Sequence, residues 1–276
     1  MTLTLAIKLL LSPVLVAGAS LAARRWGPTI AGWLAGFPLT SGPVLLIVTL
    51  EHGTGFAAGA ARGSVLGVVS QALFAAAYIG GALRGLPWIV CGSLGSLAFA
   101  ASTTLLSRTD LPPAADAGIT AGVLSIALLV LPASKRDVAR TPLPRFDLPL
   151  RMIVATSLVF GVTSFSGRWG PALTGLVTQY PLYGLVLTVF AHAQEGPSSA
   201  AGVMRGLLTG LYGFASFFFV IAVLIDRAGP LVAFLAATCL LVAVQLAALR
   251  FVGRNSVRMS LGAAGASTEE GATPPA

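Results

Sequence analysis

The stretch Arg25-Trp26-Gly27-Pro28-Thr29-Ile30-Ala31-Gly32 returns later in the chain as Arg168-Trp169-Gly170-Pro171-Ala172-Leu173-Thr174-Gly175. At the constant offset that pairs Arg25 with Arg168, residues 25–74 and 168–217 are identical at 16 of 50 positions without a gap. Chance in a chain this rich in Ala, Leu and Gly would give about a third of that number. Repeats inside an apolar chain usually describe how a membrane protein is assembled.

The composition indicates that the solvent of this chain is lipid. Of its 276 residues, 56% are hydrophobic and only 9% are charged, and the mean hydropathy is +0.89. A soluble domain carries about a quarter charged residues. The net charge of +8 does not indicate nucleic-acid binding, because the basic residues lie at the ends of apolar runs and not along one stripe.

Nine apolar runs are long enough to cross a bilayer as helices, which takes about 20 residues each. They are 3–22, 28–50, 57–81, 86–106, 114–132, 149–166, 171–193, 200–225 and 229–251. We read the first run as a retained helix and not a cleaved signal peptide. The runs predict a four-helix repeat at 1–109, a linker helix and loop at 110–148, and a second repeat at 149–258. A disordered tail is expected at 259–276, most clearly from Gly262.

The basic residues predict the orientation of the spans. Nine spans place twelve of them on one face and five on the other, which favours the first face as cytoplasmic. The N-terminus would then lie outside a bacterial inner membrane and the C-terminus inside. Because five spans separate the starts of the two repeats, the second enters the membrane upside down. The predicted fold is therefore an all-α polytopic membrane protein with two inverted four-helix repeats, an arrangement typical of secondary transporters.

Prolines interrupt the second span of each repeat. Pro38 and Pro43 fall within 28–50, and Pro38 should leave the Leu34 carbonyl without its helical partner. Open backbone groups at membrane depth need protein or water partners, so such breaks point to a binding site. The alternative is a simple kink that is patched by neighbours. The candidate substrate-binding residues at the two breaks are Pro38, Thr40, Ser41, Tyr180, Pro181 and Tyr183.

A polar cluster follows each interrupted span. The next helix of each repeat opens on Gly-x-x-Arg-Gly-x-x-x-Gly, which places Arg62 and Arg205 at matched positions on a face of small residues suited to close helix packing. These arginines are candidates to hold an anionic group, with Glu51 and Glu195 as their expected acid partners. The alternative is an interfacial ion pair with snorkelling arginines. The candidate proton-coupling residues are Glu51, His52, His192 and Glu195.

Other chemistry is not expected from this sequence. We find no catalytic or nucleotide-binding motif, and we expect no cofactor. Two histidines are too few and too far apart for a metal site. The charges at Asp110, at Asp226 and Arg227, and along the Arg-rich stretch 135–151 are interpreted as ordinary loop charges.

Each repeat resembles the GlpM-type bacterial inner-membrane proteins, which are short and have four predicted spans. The resemblance rests on Ile30-Ala-Gly-Trp-Leu-Ala-Gly-Phe37-Pro38 with the ending Glu51-His52-Gly53, and on Leu173-Thr-Gly-Leu176-Val-Thr-Gln-Tyr180-Pro181 with Glu195-Gly196. It covers roughly residues 5–106 and 150–250. It implies a tandem fusion of two such modules, but it names no substrate.

The sequence is compatible with three functional classes. The favoured hypothesis is a small secondary transporter for an anionic or polar solute, proton-coupled through the acidic and histidine residues, with its site at the two breaks. The second is a non-transporting scaffold or accessory subunit for envelope or polysaccharide assembly. An enzyme acting on lipid is least favoured, since inverted repeats place Glu51 and Glu195 on opposite sides. The expected partners are the bilayer and a small solute, and a homo-oligomer stays open.

Overall fold

The computed structural model describes residues 3–109, 111–132, 146–166 and 179–269, and every regular element in these ranges is a helix. This confirms the predicted all-α class. The described helices are α1 (Leu3–Trp26), α2 (Pro28–Ala35), α3 (Ser41–His52), α4 (Thr54–Leu83), α5 (Trp88–Leu106), α6 (Pro113–Val130), α7 (Asp147–Ser166), α8 (Leu182–Glu195) and α9 (Pro197–Glu269).

Several of these helices suit a membrane. Four are long and apolar enough to cross one, namely α4, α5, α6 and the part Pro197–Arg250 of α9. These apolar helices are compatible with an integral membrane protein in contact with the lipid bilayer. Helices α2 and α3 have 8 and 12 residues, so each is shorter than the roughly 20 residues that a crossing needs. Nine described helices therefore do not equal nine spans, and the predicted number of spans stays a prediction.

The predicted interruption of the second run is present in the first half of the chain. Helix α2 ends at Ala35 and α3 begins at Ser41, so residues 36–40, including Pro38, are not helical. Pro43 does not form the second break that the sequence predicts, because it lies in the first turn of α3, where the missing N–H costs nothing. The matching helix of the second half, α8, begins directly after Pro181. Residues 167–178, which include most of its predicted first part, lie outside the described residues.

Glycines with positive φ mark matched helix boundaries. Gly53 (φ 85°, ψ 173°) separates α3 from α4, and Gly196 (φ 92°, ψ −178°) separates α8 from α9. The two glycines occupy equivalent positions of the sequence repeat. A residue with a side chain rarely adopts this backbone conformation. The boundaries of the interrupted and following helices therefore coincide in the two halves.

Helix α9 combines two predicted spans. It runs from Pro197 to Glu269 with one non-helical residue, Gly229 (φ 79°, ψ 166°), which precedes Pro230. We call the part 197–228 the first segment of α9. The helix continues through Glu269, whereas the sequence predicted a disordered tail from Gly262. This stretch contains Ala263, Ala264 and Ala266, and alanine has the highest helix propensity of all residues.

Helix α6, the predicted linker helix, runs in the same direction as α4. Asp116 of α6 accepts a hydrogen bond from Arg62 of α4, and Thr120, one turn later, donates to the carbonyl of Val65. Because both residue numbers rise together along the contact, the two helices are parallel. Helix α4 also packs against α5 and α9, and most of its length is buried, so it lies at the centre of the described structure.

The same helix runs opposite to the first segment of α9. Ser125 of α6 shares a hydrogen bond with Tyr212, whereas Leu128, further along α6, meets Arg205, which comes earlier in α9. Because α6 is parallel to α4, the first segment of α9 is antiparallel to α4. These two segments are equivalent to each other in the sequence repeat.

Candidate functional site

The backbone at the α2–α3 break is closed by turns. The N–H of Phe37 donates to the Leu34 carbonyl at 3.2 Å, and the N–H of Gly42 donates to the Pro38 carbonyl at 2.9 Å. The Leu34 carbonyl, which the sequence predicted to be open, therefore has a partner. A tight turn replaces the lost helical bond, so the break does not offer this oxygen to a ligand.

A cavity of about 170 Å³ adjoins this break. Twelve residues of α1, the end of α2, the α2–α3 break and α8 line it, and none of them is charged. They are Val14, Leu15, Val16, Gly18, Ala19, Leu34, Ala35, Phe37, Leu39, Thr40, Tyr183 and Leu187. Two of the predicted site residues, Thr40 and Tyr183, contribute the hydroxyl groups of the lining. The cavity therefore joins the break of the first half to the start of α8 in the second half.

The other predicted residues at the breaks have structural roles. Tyr180 shares a hydrogen bond with Ser96 of α5 at 2.6 Å, and its ring packs edge-on against Phe74 and Phe99 at centroid distances of 5.8 and 5.3 Å. Pro181 precedes the first residue of α8. Tyr180 therefore anchors the start of α8 against α4 and α5. Ser41 opens α3.

Arg62 forms an ion pair with an acid that sequence reasoning missed. Its Nε donates to Oδ2 of Asp116 at 2.7 Å, and the Asp116 side chain is 1% exposed. The other carboxylate oxygen, Oδ1, is buried without a hydrogen-bond donor among the described residues. The sequence did contain a signal, because Asp116 is the only charged residue in the run 114–132, and an acid inside an apolar span is costly unless it is paired.

Arg205, which matches Arg62 in the repeat, binds the opposite end of α6. Its Nη1 donates to the carbonyl of Leu128 at 2.8 Å and also to the carbonyl of Leu131. The last carbonyls of a helix have no partner inside the helix, so a guanidinium can cap them. Asp116 and Leu128 are just over three turns apart, so the two arginine contacts lie about 18 Å apart along α6.

The structure does not bring the two arginines to a common site. They hold the two ends of α6, and neither lines the cavity at the break. The expected partners also differ from those observed, since Arg62 pairs with Asp116 and Arg205 with carbonyls. Glu195 accepts a hydrogen bond from Ser199 instead. These contacts indicate that the arginines fix the position of α6.

We expect Arg205→Gln to loosen the C-terminal end of α6. Loss of the charged donor should lower the free energy of unfolding by about 1–2 kcal/mol. Hydrogen exchange of the backbone amides near Leu131 should accelerate, which mass spectrometry of the purified protein would measure. Arg227→Gln is the matched control, because Arg227 is exposed. Equal exchange in both variants near Leu131 would show that Arg205 does not hold this end.

The candidate proton-coupling residues are also separated. Glu51 and His52 are exposed at the end of α3. His192 lies in α8, where its Nδ1 is 3.2 Å from the hydroxyl of the fully buried Tyr78. The rings meet edge-on with their centroids 5.9 Å apart. The His192–Tyr78 contact joins α8 to α4, so His192 is the one candidate of the four that bonds to the central helix in the described structure.

A second buried polar network joins α1, α7 and α8. Asp147 accepts hydrogen bonds from Arg151 at 3.0 Å, from Arg24 at 3.2 Å and from Gln194 at 2.6 Å. Arg151 also donates to Gln194 at 2.9 Å, and its guanidinium lies 4.8 Å from the centre of the Phe190 ring. Burial alone would raise the pKa of Asp147, but the bonds from Gln194, Arg151 and Arg24 outweigh it and lower the pKa.

This network corrects the interpretation of the stretch 135–151 as loop charges. Arg151 is 4% and Asp147 3% exposed, and both belong to α7, while residues 133–145 lie outside the described residues. Arg24 stands near the end of α1 and Asp147 at the start of α7, so these two helices, which pack together, run in opposite directions. They too are equivalent helices of the two halves.

No protein-family model, curated protein or solved structure matches this chain. Among the described residues, no group of three or more His, Cys, Asp or Glu side chains is placed to hold a metal ion. The contacts and distances described above are therefore the observations from which a function can be proposed.

Proposed function

We propose that this chain is a small secondary transporter of a bacterial inner membrane, with its substrate site at the cavity beside the α2–α3 break. The observation that carries the proposal is that this cavity lies between the broken helix of one half and α8 of the other. Transporters of inverted repeats bind their substrate where the discontinuous helices of the two halves meet.

The directions of the matched helices support an inverted arrangement. Helix α1 runs opposite to α7, as the Arg24–Asp147 contact requires. Helix α4 runs opposite to the first segment of α9, because α6 is parallel to one and antiparallel to the other. In two independent pairs of matched helices, the two members therefore run in opposite directions. In this proposal the chain is a tandem fusion of two GlpM-like modules, with the N-terminus outside.

The cavity favours a small solute of low charge over the anion that the sequence suggested. Among the described residues, its lining is apolar except for the hydroxyls of Thr40 and Tyr183. Arg62 and Arg205 are committed to α6 in this conformation, so an anion at the break would lack a cation among the lining residues. If transport is coupled to protons, His192 is the candidate whose side chain shares a hydrogen bond with the central helix α4, through Tyr78.

A scaffold or accessory subunit is the second candidate, and the size of the cavity favours it. A volume of about 170 Å³ is smaller than the roughly 300–1,000 Å³ of most ligand pockets. A scaffold predicts a cavity that water reaches from one side at most. A transporter predicts access from each side in turn.

Cysteine labelling distinguishes the two candidates without knowledge of the substrate. Thr40→Cys would be placed in a background with Cys91 and Cys239 changed to Ser, and a membrane-impermeant maleimide would be added to right-side-out and inside-out vesicles. A transporter should be labelled in both preparations, because alternating access exposes the cavity to each side. Labelling in one preparation only, or in neither, would contradict the proposal.

The same vesicles provide controls for orientation. Glu51→Cys, at the exposed end of α3, should be labelled from one side only. Cysteines at positions 25 and 168, which are matched in the repeat, should be labelled from opposite sides. If both are labelled from the same side, the two halves are not inverted, and the architectural part of the proposal fails whatever the result at Thr40.

A further inference from the structure

We propose that the end of α1 binds the headgroup of an anionic phospholipid. Arg24 and Arg25 follow Leu21 by three and four residues, so each lies about one turn beyond it on the same side of α1. Together with Trp26 they line an open depression of about 550 Å³ on the surface. The depression combines two guanidinium groups with an apolar residue about one turn before them. The proposal that a lipid binds here does not depend on the proposed transport function.

The charge around this depression is positive. Arg24 and Asp147 form an ion pair at 3.2 Å, and the Arg24 side chain remains 38% exposed. Asp147 also pairs with Arg151, so a single carboxylate faces two guanidinium groups in this network. Arg25 is exposed, and its guanidinium carbon lies 5.8 Å from the centre of the Trp26 ring. Three arginines and one acid leave a local excess of two positive charges among these residues.

The neighbouring apolar side chains suit the boundary between headgroups and acyl chains. Trp26 is 64% exposed, Leu21 is 53% exposed, and Phe146, which precedes Asp147, is 81% exposed. Exposed tryptophan beside arginine is typical of the interface of a bilayer, where an aromatic ring has an apolar body and a polar edge. This environment explains how these large side chains can be exposed beside the charges.

A phospholipid matches both parts of the depression. Its phosphate accepts hydrogen bonds from Arg24 and Arg25, whose planar donor groups suit phosphate oxygens. Its acyl chains can lie along Leu21, deeper on the same helix face. A free phosphate ion would meet only the arginines and would leave the apolar wall uncovered. We therefore assign the depression to a lipid.

The test compares lipid retention by the purified full-length protein. Wild type and Arg25→Gln would be reconstituted in nanodiscs of phosphatidylcholine with phosphatidylglycerol, and bound lipid would be counted by native mass spectrometry. We expect wild type to retain phosphatidylglycerol preferentially. Arg25→Gln should weaken that retention about fivefold, the effect of one basic residue near an anionic surface. Arg25→Lys keeps the charge but lacks the planar donor group, and its retention of phosphatidylglycerol should fall between that of wild type and Arg25→Gln.

Two controls separate this site from general attraction. Arg227→Gln removes an exposed arginine next to Ala228 and Gly229, far along the chain from α1, and should retain lipid as wild type does. Equal loss in Arg25→Gln and Arg227→Gln, or no loss in either, would overturn the assignment. If inorganic phosphate added to the mixed nanodiscs displaces the retained phosphatidylglycerol at equal concentration, the depression is a phosphate site and not a lipid site.

Discussion

Asp116→Asn is expected to lower the free energy of unfolding by about 3 kcal/mol, because it removes the buried carboxylate that forms an ion pair with Arg62. The Asp116 side chain is 1% exposed and accepts from Arg62 at 2.7 Å. Breaking a buried pair typically costs about 3–5 kcal/mol. We expect the lower end, since the Arg62 side chain is 29% exposed and part of its charge can remain hydrated. Unfolding of the purified protein in detergent would measure the loss.

A double-mutant cycle shows whether the effect belongs to the pair. Arg62→Gln combined with Asp116→Asn should be less destabilised than the sum of the two single variants, because each single change already breaks the same ion pair. Asp226→Asn, which removes an exposed acid, should stay within about 0.5 kcal/mol of wild type. Additive single effects would mean that the ion pair contributes nothing specific to stability.

Gly206→Ala is expected to destabilise the protein by about 3 kcal/mol through a clash between two backbones. A Cβ at Gly206 would lie 1.8 Å from the Thr29 carbonyl oxygen, and a Cβ at Gly32 of α2 would lie 1.8 Å from the Val203 carbonyl oxygen. Both obstacles are main-chain atoms, which cannot rotate away as a side chain can. Helix α2 would therefore have to move off α9, and the break that follows α2 would move with it.

Two measurements test this prediction together. Thermal unfolding of Gly206→Ala should show the loss of stability, and maleimide labelling of Thr40→Cys in the same protein should change, because Thr40 lines the cavity beside the break. Gly122→Ala is the matched control, since Gly122 lies in α6 with no atom within 4 Å of an added Cβ. It should be neutral or gain up to about 1 kcal/mol from helix propensity. Equal effects of the two changes would contradict the close contact.

The sequence predicted the local features of the fold well. Apolar runs predicted helices, and Pro38 predicted where the second run is interrupted. These features depend on residues close together in the chain, which period and backbone chemistry reveal. Two of the predicted site residues, Thr40 and Tyr183, occupy equivalent positions of the two halves and line one cavity. Their role in binding a substrate stays a prediction.

Partners across the chain were harder to predict. Arg62 was expected to meet Glu51 or Glu195, but its ion pair is with Asp116, 54 residues away. Arg205 has no acid at all in its described contacts and binds carbonyl oxygens, which carry no signal in a sequence. Likewise, the sequence placed Arg151 in a loop, although it pairs with Asp147 in α7. Tertiary packing decides such contacts, and residue type alone does not.

Arg62 and Arg205 bind different groups at the two ends of α6, and this difference bears on the order in which the gene can encode the two halves. A helix offers carbonyl oxygens at its C-terminal end and N–H groups at its N-terminal end, so arginine can cap only the former directly. The acid needed at the other end, Asp116, belongs to α6 and to neither half. Because both halves carry arginine at the matched position, an open reading frame that exchanged their order around α6 should still satisfy both arginines. The half that is translated first would always meet the carboxylate, and the half translated second would always meet the carbonyls.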